Sequence, residues 1–276
     1  MPAIAALGPS QTFSERAAQA YCAKHSEYTA IRLYPTIRKT VAAVGGECER
    51  GVLPIENMVD GHVELVLDLL LHSQLLIVDE LVLPVEFACV ANCRTREEIT
   101  RVYAQFATQG QCLEFLDTLH TARVVTTASN GESLDLVRKG TPGEAALVPQ
   151  HAVAGSGFKL VVDNVGDFGN NQTRFVALGS REVPYVKGTA YKTSLVVVEG
   201  MDRPGMLAEI LGAFARRSVN LVSIMSRPTK ESLGSYHFFI DIEGHGAEPR
   251  IEETLAEVQK HNFVRSLGSY PRAPSL

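Results

Sequence analysis

Twice near its start the chain runs from a short apolar stretch through a polar turn into a helix start, and this repeat narrows the possible folds more than any other feature. Ala3 to Leu7 is an apolar run closed by Gly8-Pro9, and Thr12-Phe13-Ser14-Glu15 follows as a T-x-x-E capping box ahead of the helix-forming RAAQAYCAKH. Gly51 to Ile55 is the second run. It enters the turn Pro54-Ile55-Glu56-Asn57-Met58-Val59-Asp60-Gly61, after which Val63, Val66, Leu67 and Leu70 mark one helical stripe. Thr36 to Val44 reads as a helix between them, ended by Gly45-Gly46. Such alternation predicts a parallel α/β sheet, on which ligands gather at the carboxyl ends of strands. Both polar turns then face one cleft, and the first helix N-terminus offers unpaired N–H groups to an anion there.

From Leu75 to Val90 the sequence is β-rich, with Pro84 marking a break, and a crossing into a second lobe is expected here. Alternation resumes beyond it. Thr95 and Glu98 form another T-x-x-E box, VYAQFA reads as a strand, QGQCLEFLDTLH as a helix and RVVTTA as a strand. SNGESLDLVRKG then reads as a helix capped by Ser129 or Asn130, and EAALVPQ as a strand. From Lys159 the chain returns through KLVVDN to the first lobe, so two crossings make a hinge. The expected division places lobe one at 1–76 and 159–182, and lobe two at 77–158. Ser180 to Ala190 is a polar stretch with Pro and Gly, read as the boundary of a first domain over 1–182. Residues 190–276 read strand, helix, strand, strand, helix, strand, a ferredoxin-like βαββαβ unit. Its first helix follows the tight bend Asp202-Arg203-Pro204-Gly205 and carries the stripe Leu207, Ile210, Leu211 and Phe214.

The 276 residues, 45% hydrophobic and 21% charged, suffice for two domains with separate cores. A net charge of −5 without a Lys/Arg block argues against nucleic acid and against an anionic membrane. The first residues lack a basic n-region, and no segment has the length of a membrane span, so a cytoplasmic protein is expected. Five cysteines without a C-x-x-C pair argue for reduced buried thiols, and the eight scattered histidines give no metal-ligand spacing. No cofactor or metal is expected.

Against this frame stands NNQTRF, Asn170 to Phe175, which gathers amides, a hydroxyl, a fixed positive charge and an aromatic ring ahead of the apolar run Val176 to Leu178. It reads as an anion site with a proton donor at its centre, or as a polar loop entering a strand.

Together, GPSQTFSE at 8–15, PIEN with Gly61, and N-x-T-R-F at 171–175 resemble prephenate dehydratase, an enzyme of phenylalanine biosynthesis. Over 190–276, PGML before a helix, SRP at 226–228 and YHFFIDIEG resemble an ACT regulatory domain. The resemblance implies a two-lobed catalytic domain similar to periplasmic binding proteins, and Thr173 as proton donor to the departing hydroxyl of prephenate. It places Thr12, Phe13, Ser14, Glu56, Asn57, Ser129, Asn171, Arg174 and Phe175 at the substrate. Arg174, Asn171 and the N–H groups near Thr12 to Ser14 would hold the pyruvyl end, Asn57 and Ser129 would face the ring carboxylate, and Glu56 would keep a structural hydrogen-bonding role. L-phenylalanine would bind the ACT domain at a dimer interface, near Gly205, Met206, Leu207, Ser226, Arg227 and Pro228, in a homodimer or homotetramer.

The sequence departs from the family pattern at Gln11 for a glycine, at Met58 for a serine, at Ala104-Gln105-Phe106-Ala107 for S-H-P-Q, and at Ser129-Asn130-Gly131. Met206 and Ala208 alter G-A-L-V, and Met225 replaces the glutamate of E-S-R-P. Arogenate dehydratase, prephenate decarboxylase, or a non-catalytic amino-acid sensor are the alternatives these changes keep in play.

Overall fold

A computed structural model describes residues 2–155, 157–198, 204–229 and 236–274. Lobe one is built on a sheet of order β2-β1-β3-β11-β5: β1 (Ala3–Leu7), β2 (Ala30–Tyr34), β3 (Arg50–Asn57), β5 (Leu76–Pro84) and β11 (Gln172–Gly179), with β4 (Gly61–His62) paired to β3. β1, β2 and β3 run parallel, as the strand-turn-helix repeat requires, while β11 lies antiparallel between β3 and β5. α1 (Phe13–Lys24) covers one face, and α2 (Ile37–Ala43) and α3 (Glu64–His72) lie on the other. Capping fixes where α1 starts: Thr12 Oγ1 accepts from Glu15 N at 3.3 Å, and Glu15 Oε2 accepts from Gln11 N at 2.6 Å.

Lobe two has the sheet β10-β6-β9-β7-β8, formed by β6 (Phe87–Ala91), β7 (Arg101–Gln105), β8 (Arg123–Thr127), β9 (Glu144–Pro149) and β10 (Leu160–Val162). Its helices are α4 (Phe106–Gly110), α5 (Leu113–Asp117) and α6 (Asn130–Arg138), with single 3-10 turns at Arg96–Glu98 and Gln150–Ala152. Three expectations need correction. The crossing out of lobe one falls after Pro84, because β5 pairs with β11 along its length; the return falls after Val162, because β10 pairs with β6. The predicted helix from Gln109 is two short ones, broken at Gln111-Cys112. At the Thr95-Glu98 box only Glu98 caps, accepting from Arg94 N at 3.1 Å. The two crossings run side by side, Val85 N donating to the Asn171 carbonyl at 2.8 Å and Val165 N to that of Phe87 at 3.0 Å.

The last unit follows the predicted order: β12 (Tyr191–Val198), α7 (Met206–Arg216), β13 (Leu221–Pro228), β14 (Tyr236–Glu243), α8 (Pro249–Val258) and β15 (Phe263–Pro271), in an antiparallel sheet β13-β14-β12-β15. Asp202 and Arg203 of the predicted bend lie outside the described residues. One sheet face packs on α7 and α8. Val196, Phe239, Leu267 and Tyr270 leave the opposite face and join the core of lobe one, among Leu53, Ile55, Leu70, Ile77 and Val176. Each such side chain contributes about 1.5–3 kcal/mol by leaving water, so the contact is a packed interface. Gly268 lets β15 come close to β5: at φ 127° it sits where a Cβ would collide with the Ile77 carbonyl.

All five cysteines are free thiols, and burial pushes Cys89 and Cys112 up to about 12. Among the described residues no helix is long and apolar enough to cross a membrane.

Candidate active site

Because β11 is a strand, its successive side chains leave on opposite faces. Thr173 stands opposite Asn57 on β3, and Arg174 opposite Glu56. The Asn57 amide is held from behind, its Oδ1 accepting from the N–H groups of Val59 and Asp60, each at 2.9 Å. Its NH2 group therefore points to Asn171 Oδ1 at 3.0 Å, the Gln172 carbonyl at 3.2 Å and Thr173 Oγ1 at 2.9 Å. The Thr173 hydroxyl is thus an acceptor towards the protein, and among the described residues nothing accepts its own proton. Asn171 Nδ2 donates to Gln111 Oε1 at 2.7 Å, and Gln111 Nε2 to Asp60 Oδ2 at 2.5 Å. Gln111 comes from lobe two, so this string ties the lobes together beside Thr173. Sequence reading missed Gln111, assigning it to a helix; the signal was a polar Gln-Gly-Gln run that interrupts the apolar spacing.

The other predicted residues lie where helices from the two lobes meet. Thr12 and Ser129 both cap helices with their hydroxyl oxygens, the latter accepting from Glu132 N at 3.1 Å while Glu132 Oε2 accepts from Ala128 N at 2.7 Å. What remains at each helix start is a set of N–H groups without intrahelical partners. A groove of about 380 Å³ opens between them, lined by Pro9, Ser10, Gln11, Ser129 and Gly131. Gly131 has no room for a side chain, since a Cβ would stand 2.8 Å from the Ser10 carbonyl. Thr108 Oγ1, buried, donates to Asn130 Oδ1 at 2.8 Å and continues the polar lining towards Gln111. Phe13 packs edge-on against Phe87 and His151 of lobe two, with centroids 5.6 and 5.3 Å away, while Ser14 is buried beneath it. Burial first, and the charge of Arg16 second, push His151 down to about 4.

Two of the expected substrate contacts face elsewhere. Arg174 points away from the cleft into the last domain, its Nε donating to Glu80 at 2.8 Å, Nη1 to Asp241 at 2.6 Å and Glu56 at 3.3 Å, and Nη2 to the Tyr270 hydroxyl at 2.7 Å. Four of its five N–H donors are used in this way. Burial alone would lower its pKa, but Tyr270, Asp241 and Glu80 raise it, so the guanidinium is firmly charged. Phe175, 1% exposed, lies in the core with Ile4, Ala17, Tyr21 and Val52. The cause is the two-residue period of the strand, with a bulge between Arg174 and Phe175. Glu56 is half-buried and holds Arg174, with His62 at 3.7 Å on its other oxygen.

Known proteins share this arrangement of domains. The family description prephenate dehydratase matches residues 4–183, and ACT domain matches 194–259. The chain belongs to the prephenate dehydratase family. It is 36% identical over 283 residues to the prephenate dehydratase of Amycolatopsis methanolica, covering 100% of this chain and 90% of that one. A crystal structure of prephenate dehydratase from Arthrobacter aurescens in complex with L-Phe superposes with a TM-score of 0.86 at 32% identity, over 100% of this chain and 92% of that one. A structure described as a novel type of quorum quenching acylase, GqqA, gives a TM-score of 0.84 at 26% identity, over 99% and 98%. The fold therefore accompanies more than one described activity, and the side chains in the cleft carry the argument about chemistry.

Where the family pattern has a glycine, Gln11 adopts φ 67° in the left-handed region that glycine favours, at a cost of about 1–2 kcal/mol. Met58, 60% exposed, and Phe106, 77% exposed, put apolar side chains on the surface where serine and the S-H-P-Q run are usual. In the ACT domain, Gly205 caps α7 at φ 86°, while Met206 is buried and Leu207 partly buried against the domain core. Ser226 and Pro228 are exposed on β13. Arg227 leaves that group, turning to α3 and pairing with Glu64 at 2.5 Å and Asp68 at 3.0 Å.

Proposed function

We propose that this chain converts prephenate to phenylpyruvate, with Thr173 as the group that protonates the leaving hydroxyl. The observation that carries this reading is the Asn57–Thr173 pair. Asn57 donates to Thr173 Oγ1 and leaves the threonine proton free for another acceptor. In the reaction the bond from the ring to its carboxylate breaks, the electron pair makes the ring aromatic, and the hydroxyl opposite departs. Taking the Thr173 proton, it leaves as water; the carboxylate leaves as carbon dioxide, and Thr173 recovers a proton from solvent. A threonine hydroxyl is a weak acid, but a hydrogen bond to the increasingly basic leaving oxygen is worth about 1.5–3 kcal/mol, or about one to two powers of ten in rate. The Asn57 N–H strengthens the donor, because its bond to Oγ1 tightens as that oxygen gains negative charge.

With Arg174 held by carboxylates, the pyruvyl carboxylate is bound by the N–H groups at the start of α1 and α6, together with Asn171 and Gln111. The ring carboxylate meets amides rather than a fixed cation, which favours its departure. L-phenylalanine inhibits through the ACT domain. β13 ends the sheet with Val222 and Ile224 exposed, and pairing of two chains along that strand gives the dimer.

The test is to incubate the purified protein with prephenate or arogenate and to follow ultraviolet absorbance and product mass. Phenylpyruvate from prephenate supports the reading. Phenylalanine made only from arogenate moves the assignment to arogenate, a non-aromatic product makes the enzyme a decarboxylase, and no turnover leaves a sensor.

A further inference from the structure

We propose that the buried ion cluster around Arg174 is the element through which the ACT domain sets the position of Thr173. This rests on the dehydratase reading of the cleft. Thr173 and Asn57 face one another on adjacent strands, and the residues beside them, Arg174 and Glu56, face one another on the opposite side of the same sheet. The forward pair makes the proton-donor site; the rear pair is held by the regulatory domain. Arg174 Nη1 donates to Asp241 on β14 at 2.6 Å, and Nη2 to the Tyr270 hydroxyl on β15 at 2.7 Å. Ser194 on β12 donates to Asp241 at 2.5 Å and meets the Tyr270 hydroxyl at 2.7 Å, so β14 and β15 reach the guanidinium directly and β12 reaches it through them. Glu80 on β5 closes the cluster from lobe one. It holds Arg174 Nε at 2.8 Å and accepts from Lys192 at 3.0 Å and from Ala273 N at 2.8 Å, both in the ACT domain. On the Glu56 side, His62 lies 3.2 Å from Ser223 of β13.

Partners within hydrogen-bond reach in a dry interior leave no slack for small independent movements. A displacement of the ACT sheet must either carry Arg174 with it or leave a charge unpaired. Thr173 is one peptide unit away, and its hydroxyl works only within hydrogen-bond distance of the departing oxygen. The cavity beside the cluster, lined by His62, Arg174, Ser194, Ser223 and Asp241, is only about 20 Å³, so the ion group has little room to move apart from the sheets that hold it. Arg174 is therefore a positioning residue, and its partners in the ACT domain are the handle.

Tyr270→Phe and Asp241→Asn test this in the full chain, the first keeping the packed ring and the second the side-chain shape. The measurements are kcat and KM for prephenate, inhibition at saturating L-phenylalanine, the Kd for L-phenylalanine by calorimetry, and amide hydrogen exchange over residues 168–178 with and without L-phenylalanine. Each variant is expected to bind L-phenylalanine within about twofold of the wild type, to lose at least about fivefold in inhibition, and to lower kcat with KM held. In the wild type L-phenylalanine changes exchange along β11, and in the variants that response is lost. Full inhibition with unaltered Kd would overturn the proposal. So would loss of L-phenylalanine binding itself, which would make the cluster part of the effector site, and so would a wild-type β11 indifferent to L-phenylalanine. Ser194→Ala gives the same readouts from outside the ion pairs should either variant fail to fold. A wild type that makes no phenylpyruvate would refute the dehydratase reading alone, leaving the exchange experiment to judge the cluster.

Discussion

At the scale of single residues, the cleft is governed by which side chains keep a free hydrogen-bonding capacity. Thr12 uses both sides of its hydroxyl, accepting from Glu15 N and donating to the Pro9 carbonyl, and Arg174 is spent on carboxylates and Tyr270, whereas among the described residues Ser129 and Thr173 each accept one bond, the latter from Asn57, and keep a proton to donate. Asn57→Ala is therefore expected to lower kcat by about tenfold to a hundredfold and, because the amide also holds Val59, Asp60, Asn171 and the Gln172 carbonyl, to lower the melting temperature, measured by steady-state kinetics and calorimetry. An unchanged kcat would mean that the amide does not tune Thr173. His151 makes a separate prediction. Its folded pKa, about 4, lies below an unfolded value of about 6.5, so between those limits the unfolded chain binds more protons and stability falls as pH is lowered. His151→Gln should remove part of that fall, and an equal loss of melting temperature between pH 7 and 4.5 in both proteins would contradict it. The resemblance of T-R-F and PIEN marked Thr173 and Asn57 as candidate site residues, while their pairing across adjacent strands was not readable in the sequence. The direction taken by Arg174 was not readable, since it depends on carboxylates from Glu80 and Asp241, far along the chain.

At the scale of elements, capping boxes and helical stripes were the most legible features, because a cap or a stripe is decided within one or two turns. α1, α6 and α3 lie where those signals put them. Strand membership was less legible: β5 reads as an apolar run, and nothing local says that its partner is β11 rather than a strand of lobe two. The β2 strand was passed over because Arg32 and the exposed Leu33 break its apolar pattern at the sheet edge. Close approach between elements is likewise invisible until partners are known. Gly268→Ala, which drives a Cβ into the Ile77 carbonyl at a backbone angle that disfavours side chains, is expected to destabilise the chain by about 2–4 kcal/mol. Thermal unfolding checks this, and a melting temperature within a degree of the wild type would show that β15 can move away from β5 at no cost.

At the scale of the whole molecule, the order of units was readable from alternation and from βαββαβ, while their docking was not, because the interface is assembled from ACT strands far along the chain and from one face of the first sheet. That docking puts the regulatory sheet behind the strand that carries Thr173, with the cleft in front and lobe two hinged through paired crossings. The Thr173–Asn57 pair and the Arg174–Glu56 pair thereby stand on adjacent positions of the same two strands. The proposed acid is the Thr173 hydroxyl, and Thr173→Val, which keeps the shape and removes the proton, tests this role most directly. Phenylpyruvate formation from prephenate under single-turnover conditions should slow by at least about tenfold in this variant while substrate still binds. Wild-type turnover in Thr173→Val would contradict the account.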